Sequence, residues 1–202
     1  MNTQQQGFIE FLMDCGALKF GDFSLKSGRK SPIFIDLGQV KSGRALETLG
    51  EALAKTLFER FPEVTLLFGP AYKGITLAVA TATAAWRLYK KDLGILYDRK
   101  EAKTHGEGGN FIGCMPTADD RLVIVDDVLT DGATKLESMR ALEAVFKVKI
   151  QGVLVNVDRS PAGREHPFPL ASIIGLGDIC EFLHIRKDPR ESVVRTFWEQ
   201  NY

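Results

Sequence analysis

The sequence predicts an α/β protein with a central, mostly parallel sheet flanked by helices. Four short segments, 64–68, 93–97, 122–125 and 150–157, read as near-continuous apolar runs. Strands covered on both faces look like this, whereas half-exposed strands alternate. Segments with helical periodicity stand at 74–89 and 134–146, and parallel strands need such crossovers. Polar and charged residues cluster directly after each apolar run. In such sheets ligands bind in the crevice beyond the carboxyl ends of the strands.

The elements follow in order. Phe8, Ile9, Leu12 and Met13 form a helical stripe within 3–15. Residues 18–37 place Leu18, Phe20, Phe23 and Leu25, then Ile33, Phe34, Ile35 and Leu37, around the turn-prone segment 27–32. That pattern predicts short strands or a hairpin. Ser42 and Gly43 open an amphipathic helix that runs to about Phe61 and stops before Pro62. The strand over 64–68 ends in Gly69-Pro70, and an Ala- and Thr-rich helix covers 74–89. After the strand at 93–97, residues 99–110 are polar and contain Gly106, Gly108 and Gly109, which predicts a mobile loop. The strand at 122–125 runs into Asp126-Asp127, and a helix follows over 134–146. The strand at 150–157 ends in Asp158-Arg159. Pro161, Pro167 and Pro169 make 160–169 a loop, and short helices near 177–184 and 189–200 finish the chain.

At 202 residues the chain is long enough for one domain with a buried core. Its 26 Lys and Arg residues balance 26 Asp and Glu residues, so no general attraction to nucleic acid or to an anionic membrane is expected. Any anion must be held by local clusters. Cys15, Cys114 and Cys180 are far apart and form no CxxC pair, so they read as reduced thiols of a cytoplasmic protein. Residues 1–7 are polar and lack the pattern of a signal peptide. No apolar stretch is long enough to span a bilayer.

The segment after 122–125 carries the most chemistry. Two carboxylates are followed by a short turn with Thr130, Gly132 and Thr134 that opens a helix. Such a turn exposes backbone N–H groups at a helix N-terminus, where the dipole also favours an anion. Carboxylates that accept from sugar hydroxyls, beside a phosphate cradle, suit a phosphorylated sugar. The alternative is a plain helix cap on Asp131 or Thr130. Neither GxxxxGK[ST] nor GxGxxG occurs, which removes support for nucleotide hydrolysis and dinucleotide binding. Arg99, Lys100, Lys103 and His105 precede the glycines of the 99–110 loop. They form either a lid that brings cations to a diphosphate or an ordinary solvated run. Tyr72, Lys73 and Arg159 are further strand-end candidates, each weak alone.

Together these residues resemble the type I phosphoribosyltransferases, whose binding motif for 5-phosphoribosyl 1-diphosphate (PRPP) is similar to VIVDDVLTDGAT at 123–134. Four more segments narrow the resemblance to the orotate phosphoribosyltransferases: LKSGRKSPIFID at 25–36, FGPAYKG at 68–74, RKEAKTHGEGG at 99–109 and VDR at 157–159. The resemblance implies a single domain over 1–202, with a core over about 41–174 and a small hood from about 1–40 and 175–202. It implies transfer of the phosphoribosyl group to N1 of orotate in pyrimidine biosynthesis.

By the same resemblance, Lys26, Tyr72, Lys73 and Lys100 contact PRPP. Asp126 and Asp127 hold the ribose hydroxyls, and Val128, Leu129, Thr130, Asp131, Gly132, Ala133 and Thr134 hold the 5-phosphate. Phe34, Ile35, Thr130 and Arg159 bind orotate. Arg99, Lys103 and His105 act on the diphosphate from the neighbouring subunit of a homodimer, so two shared sites are implied. Lys103 and His105, with Asp126 and Asp127, are the expected catalytic residues, and Lys103 or His105 is a candidate, by its chemistry, to give a proton to the leaving group. Mg2+ is implied as cofactor, held mainly through PRPP rather than by a protein cage. Relatives carry a small residue where Asp131 stands and a Thr where Ala133 stands. An inward carboxylate would repel a phosphate, so Asp131 is expected to face outward and cap the helix. Rival readings are a purine or uracil phosphoribosyltransferase, a non-catalytic PRPP sensor, and a sugar-phosphate binding domain without turnover.

Overall fold

The computed structural model describes residues 1–24, 28, 30–99, 110–161 and 163–201. Helix α1 (Thr3–Asp14) starts with a capping box formed by Asn2 and Gln5, and buries Phe8, Ile9 and Leu12. Strands β1 (Leu18–Ser24) and β2 (Lys30–Ile35) pair antiparallel with Leu18 opposite Ile35. Pro32 lies inside β2 rather than in the turn. A two-stranded ribbon leaves each strand an open edge, where a residue without an N–H costs no ladder bond. Helix α2 (Gly43–Arg60) is capped by the Ser42 side chain, which accepts from Ala45 N, and buries Leu49, Leu53 and Leu57. Burying each such leucine contributes about 1.5–3 kcal/mol.

The remaining elements are β3 (Leu66–Phe68), α3 (Lys73–Tyr89), β4 (Gly94–Asp98), β5 (Phe111–Gly113), β6 (Arg121–Leu129), α4 (Ala133–Val145), β7 (Lys149–Asp158), β8 (Leu170–Gly175), α5 (Leu176–Ile185) and α6 (Glu191–Asn201). The main sheet has six strands in the order β5-β4-β3-β6-β7-β8. All neighbours are parallel except β4 and β5. Two of these strands, β5 and β8, have no counterpart in the sequence reading. Strand β5 has only three residues, too few to show a period. The apolar run of β8 continues into the helix that starts at Leu176, so no boundary is visible.

Strand β6 differs more consequentially. It runs four residues beyond 125, and its ladder to β7 pairs Asp126 with Val155 and Val128 with Val157. The two carboxylates therefore sit on the strand, not in the turn after it. Successive side chains of a strand point to opposite faces. Leu122 and Ile124 enter a core with Leu66, Leu96 and Leu142 of α4. Val123 and Val125 enter the larger core with residues of α1, α2, α3 and α5. Asp126 and Asp127 inherit this alternation. Helix α5 is tied to α1 by Gln5 Nε2, which donates to Asp178 at 3.0 Å. The amino group of Met1 meets Glu181 at 3.0 Å. Among the described residues, no helix is long and apolar enough to cross a membrane.

Candidate active site

The carboxyl ends of β3, β4, β6 and β7 meet at one edge of the sheet. The turn after β3 is held there by main-chain bonds: Gly69 N donates to Leu96 O at 2.9 Å, and Ala71 N donates to the Asp98 carboxylate at 2.6 Å. Gly69 and Gly74 are packed so closely that a Cβ on Gly69 would lie 2.2 Å from Gly74 O. The turn therefore projects Tyr72, which is 68% exposed, and starts α3 at Lys73. The Ala71–Tyr72 peptide is cis.

Lys73 is the hub on the α3 face. Its Nζ lies 3.0 Å from Asp127 Oδ2 and 3.7 Å from Asp36 Oδ1. Burial alone pulls its pKa down, but the hydrogen bond and charge of Asp127, joined by Asp36, outweigh that and leave it raised. Asp36 also accepts from Gln39 Nε2 at 3.1 Å and Gly38 N at 3.0 Å. Those bonds, that of Gln39 first, hold its carboxyl below the usual range despite partial burial. Asp36 falls at the end of the 25–36 segment, where the sequence alone gives it no role. Its position at the end of β2, next to Ile35, was the available signal.

On the opposite face Asp126 pairs with Lys135 of α4, Nζ to Oδ2 at 2.5 Å. Burial pushes the Asp126 carboxyl up, Lys135 opposes it, and the charge of Asp127 adds to it, leaving the pKa raised. The other oxygen, Oδ1, accepts from Asp127 N at 2.8 Å. Lys135 was missed by sequence reasoning. The signal was a lysine in the inward row of α4, one turn before Met139 and two before Leu142, which is fully buried.

The turn after β6 holds Thr130 and Asp131, both exposed, and Gly132, buried with φ of 81°. A Cβ on Gly132 would meet Phe168 at 3.1 Å and His166 at 3.4 Å. The loop between β7 and β8 thus props this turn. Ser160 Oγ donates to the Asp158 carboxylate, and His166 Nε2 lies 3.1 Å from Ser160 Oγ. The His166 ring stacks on Phe168, and Arg164 donates to Asp131 O at 3.3 Å. Asp131 Oδ1 accepts from Ala133 N at 3.0 Å. The N-cap of α4 is Gly132, so Asp131 takes the first amide of the helix from one residue outside it rather than as the cap, and that amide is one of those an anion in this cradle would use. Val128 N is likewise taken, by Asp127 Oδ1 at 2.7 Å.

Arg159 follows β7, its N–H donating to Leu129 O at 2.8 Å, so main-chain bonding ties it to the end of β6. Strand alternation sends Phe34 and Ile35 to opposite faces of the hairpin. Phe34 packs on Phe23 with ring centroids 5.4 Å apart, while Ile35 leans on the main core. Arg99 stands at the end of β4, its N–H donating to Asn110 O at 2.7 Å. Lys26, Lys100, Lys103 and His105, and most of the expected 99–110 loop, lie outside the described residues.

The arrangement sets paired carboxylates, a helix-opening turn and a lysine hub at the ends of parallel strands. Comparison with known proteins agrees with it. The family model for the phosphoribosyl transferase domain matches residues 36–167. The chain is 41% identical to the orotate phosphoribosyltransferase of Salmonella arizonae, over 99% of each chain. It is 41% identical to that of Pseudomonas fluorescens, over 91% of this chain and 90% of the other. The crystal structure of orotate phosphoribosyltransferase from Francisella tularensis superposes with a TM-score of 0.81 at 31% identity, covering 97% of this chain and 98% of that one. With this identity sustained from end to end, and the fold matching as well, the chain belongs to the orotate phosphoribosyltransferase family.

Proposed function

We propose that PRPP and orotate meet in the crevice at the ends of β3, β6 and β7, and that the chain transfers the phosphoribosyl group to N1 of orotate for pyrimidine biosynthesis. One observation carries the placement: Lys73 joins Asp36 of the hairpin to Asp127 of β6, directly beside the turn that opens α4. Sugar acceptors, anion donors and the orotate-side segment thus converge on one point. In the reaction N1 of orotate releases its proton to the departing pyrophosphate or to solvent and forms a bond to ribose C1 as the bond from C1 to the diphosphate oxygen breaks. Pyrophosphate leaves with the bonding electrons, and positive charge develops on the ring. Orotate supplies the nucleophile, so the protein aligns the reactants and stabilises the departing charge.

Asp126 and Asp127 accept from the ribose hydroxyls. Residues 128–134 hold the 5-phosphate, with Thr130 and Thr134 adding hydroxyls. Lys73, Tyr72, Lys26 and Lys100 face the diphosphate, and Arg159 with Thr130 meets the anionic edge of orotate. Phe34 and Ile35, in a hood made of the hairpin, α1, α5 and α6, flank the orotate ring. Mg2+ suits this site as a companion of PRPP. Among the described residues no group of three His, Cys, Asp or Glu is placed to cage a metal, and Mg2+ is commonly held through phosphates and one or two carboxylates. When bound, Mg2+ supplies positive charge to the diphosphate. Three unpaired cysteines, Cys114 among them exposed, suit a reducing cytoplasm.

The homodimer belongs to the same reading. Arg99, Lys103 and His105 would reach the neighbouring subunit's diphosphate, with Lys103 or His105 as proton donor. An open groove of about 520 Å³ between α2 and α3, lined by Leu46, Ile75 and Val79, supports a subunit contact on that face. Trp86 on α3 is 56% exposed, and large exposed apolar groups in one region favour a protein contact.

The test is the fall in orotate absorbance when PRPP and Mg2+ are added to purified protein. Uracil, hypoxanthine and adenine serve as competing acceptors. Turnover of orotate alone is the expected result. Turnover of a purine or of uracil instead, or of none of the four, overturns the assignment.

A further inference from the structure

We propose that Lys135 is a positioning residue for the transfer: from α4 it fixes the Asp126 carboxylate in place as an acceptor for the ribose hydroxyls. The inference rests on the placement of ribose at Asp126 and goes beyond it, since Lys135 lies on the far side of that carboxylate from the crevice.

Several observations converge. The Lys135 side chain is 7% exposed and that of Asp126 is 17% exposed, so the pair is withdrawn from water. A buried lysine is costly unless paired and hydrogen-bonded. Here Nζ donates to Asp126 Oδ2 at 2.5 Å, while Oδ1 is fixed by Asp127 N at 2.8 Å. Both carboxylate oxygens are anchored, which leaves one rotamer. Each oxygen has a further lone pair, so a sugar hydroxyl can still be accepted. The strand is held as well: Asn156 Nδ2 of β7 donates to Asp126 O at 3.2 Å. The charged groups facing Asp126 are Lys135 from α4 and Asp127 from its own strand, and β7 presents only the uncharged Asn156. Burial and Asp127 both oppose ionisation, and Lys135 is the group that counters them. The same lysine sits in the first turns of α4, the helix whose N-terminus forms the phosphate turn. The pair therefore couples the carboxylate and the cradle into one rigid unit.

The test compares kcat and KM for PRPP, across pH, in Lys135→Met, Lys135→Arg, Asp126→Asn and the double variant. Lys135→Met is expected to raise KM for PRPP about tenfold or more, the scale of a lost hydrogen bond to a charged group. Its acid limb of kcat/KM for PRPP moves to higher pH, because burial then acts without Lys135 to oppose it. Lys135→Arg restores the limb and most of KM. In an Asp126→Asn background, Lys135→Met changes little further. A folded Lys135→Met enzyme with KM and acid limb within about twofold of the parent overturns the proposal. Should Lys135→Met not accumulate as folded protein, the Lys135 ammonium is followed by nitrogen NMR in the unaltered enzyme. A resonance that shifts on adding PRPP supports the pairing role, and one that stays fixed overturns it. Full activity of Asp126→Asn would instead sink the ribose placement, whereas an impaired Asp126→Asn beside a normal Lys135→Met sinks only the role of Lys135.

Discussion

Asp131 occupies an awkward position for a phosphate site. Its carboxylate accepts from Ala133 N at 3.0 Å, so before PRPP binds, the turn satisfies one of its own amides with a negative side chain. A 5-phosphate that takes that amide must displace the carboxylate and then tolerate it nearby. Removing it has two opposed effects. The turn loses a hydrogen bond to the first amide of α4, worth about 0.5–1.5 kcal/mol. The cradle gains a free N–H and loses a like charge, each of which favours the anion. Asp131→Ala should therefore lower the melting temperature slightly and tighten PRPP several-fold, as read by calorimetry. Weaker PRPP binding by the folded variant would show that the carboxylate already faces away from the phosphate. Gly132 has no such latitude. Its φ of 81° and its contact with Phe168 exclude any side chain.

Among the elements, the join between α5 and α6 has its own electrostatic latch. The Asp188 carboxylate accepts from Arg190 Nε at 2.7 Å and from Arg190 N at 2.9 Å. The side-chain bond to Arg190 is the main reason its pKa falls to about 2. The Arg190 guanidinium lies 4.2 Å from the centre of the Phe20 ring in β1, so the latch also ties the C-terminal segment to the hairpin. A carboxyl whose folded pKa is depressed stabilises the fold above its unfolded value and loses that contribution as pH falls through the folded one. Asp188→Asn should thus melt below the parent at pH 7. The gap should close between about pH 4, the ordinary carboxyl value, and the folded value near 2. A gap independent of pH would assign the effect to packing.

This scale also shows what could be read from the sequence. Ser42 and Pro62 marked α2 because capping and chain stiffness are local, and the apolar strands were legible because burial on both faces leaves a continuous run. The extension of β6 through Asp126 and Asp127 was not, because charged residues inside a strand are stabilised by partners on other elements, Lys73 and Lys135. The same non-local pairing explains why Lys135 and Asp36 were passed over while Asp126, Asp127 and Lys73 were identified. A motif shows which residues bind, but the groups that hold them in place come from distant segments.

For the whole molecule the open question is whether one chain makes a complete site. Lys73 and Arg99 are the proposed diphosphate-side cations among the described residues, and Lys73 is already engaged by Asp36 and Asp127. More positive charge is needed to stabilise a departing pyrophosphate. The net charge of zero offers no diffuse supply. If Lys103 of one subunit serves the crevice that holds Asp127 of the other, the two positions complement each other in trans. Lys103→Ala and Asp127→Asn should each be nearly inactive as homodimers. Mixed under conditions that allow subunits to exchange, they form heterodimers in which one site carries both substitutions and the other carries neither. Random pairing makes half of the dimers mixed, each with one intact site, so activity should recover to about one quarter of the parent value. Co-purification of the untagged variant with an affinity-tagged partner verifies the exchange, and activity that stays at the sum of the two variants would place Lys103 and Asp127 in the same subunit's site.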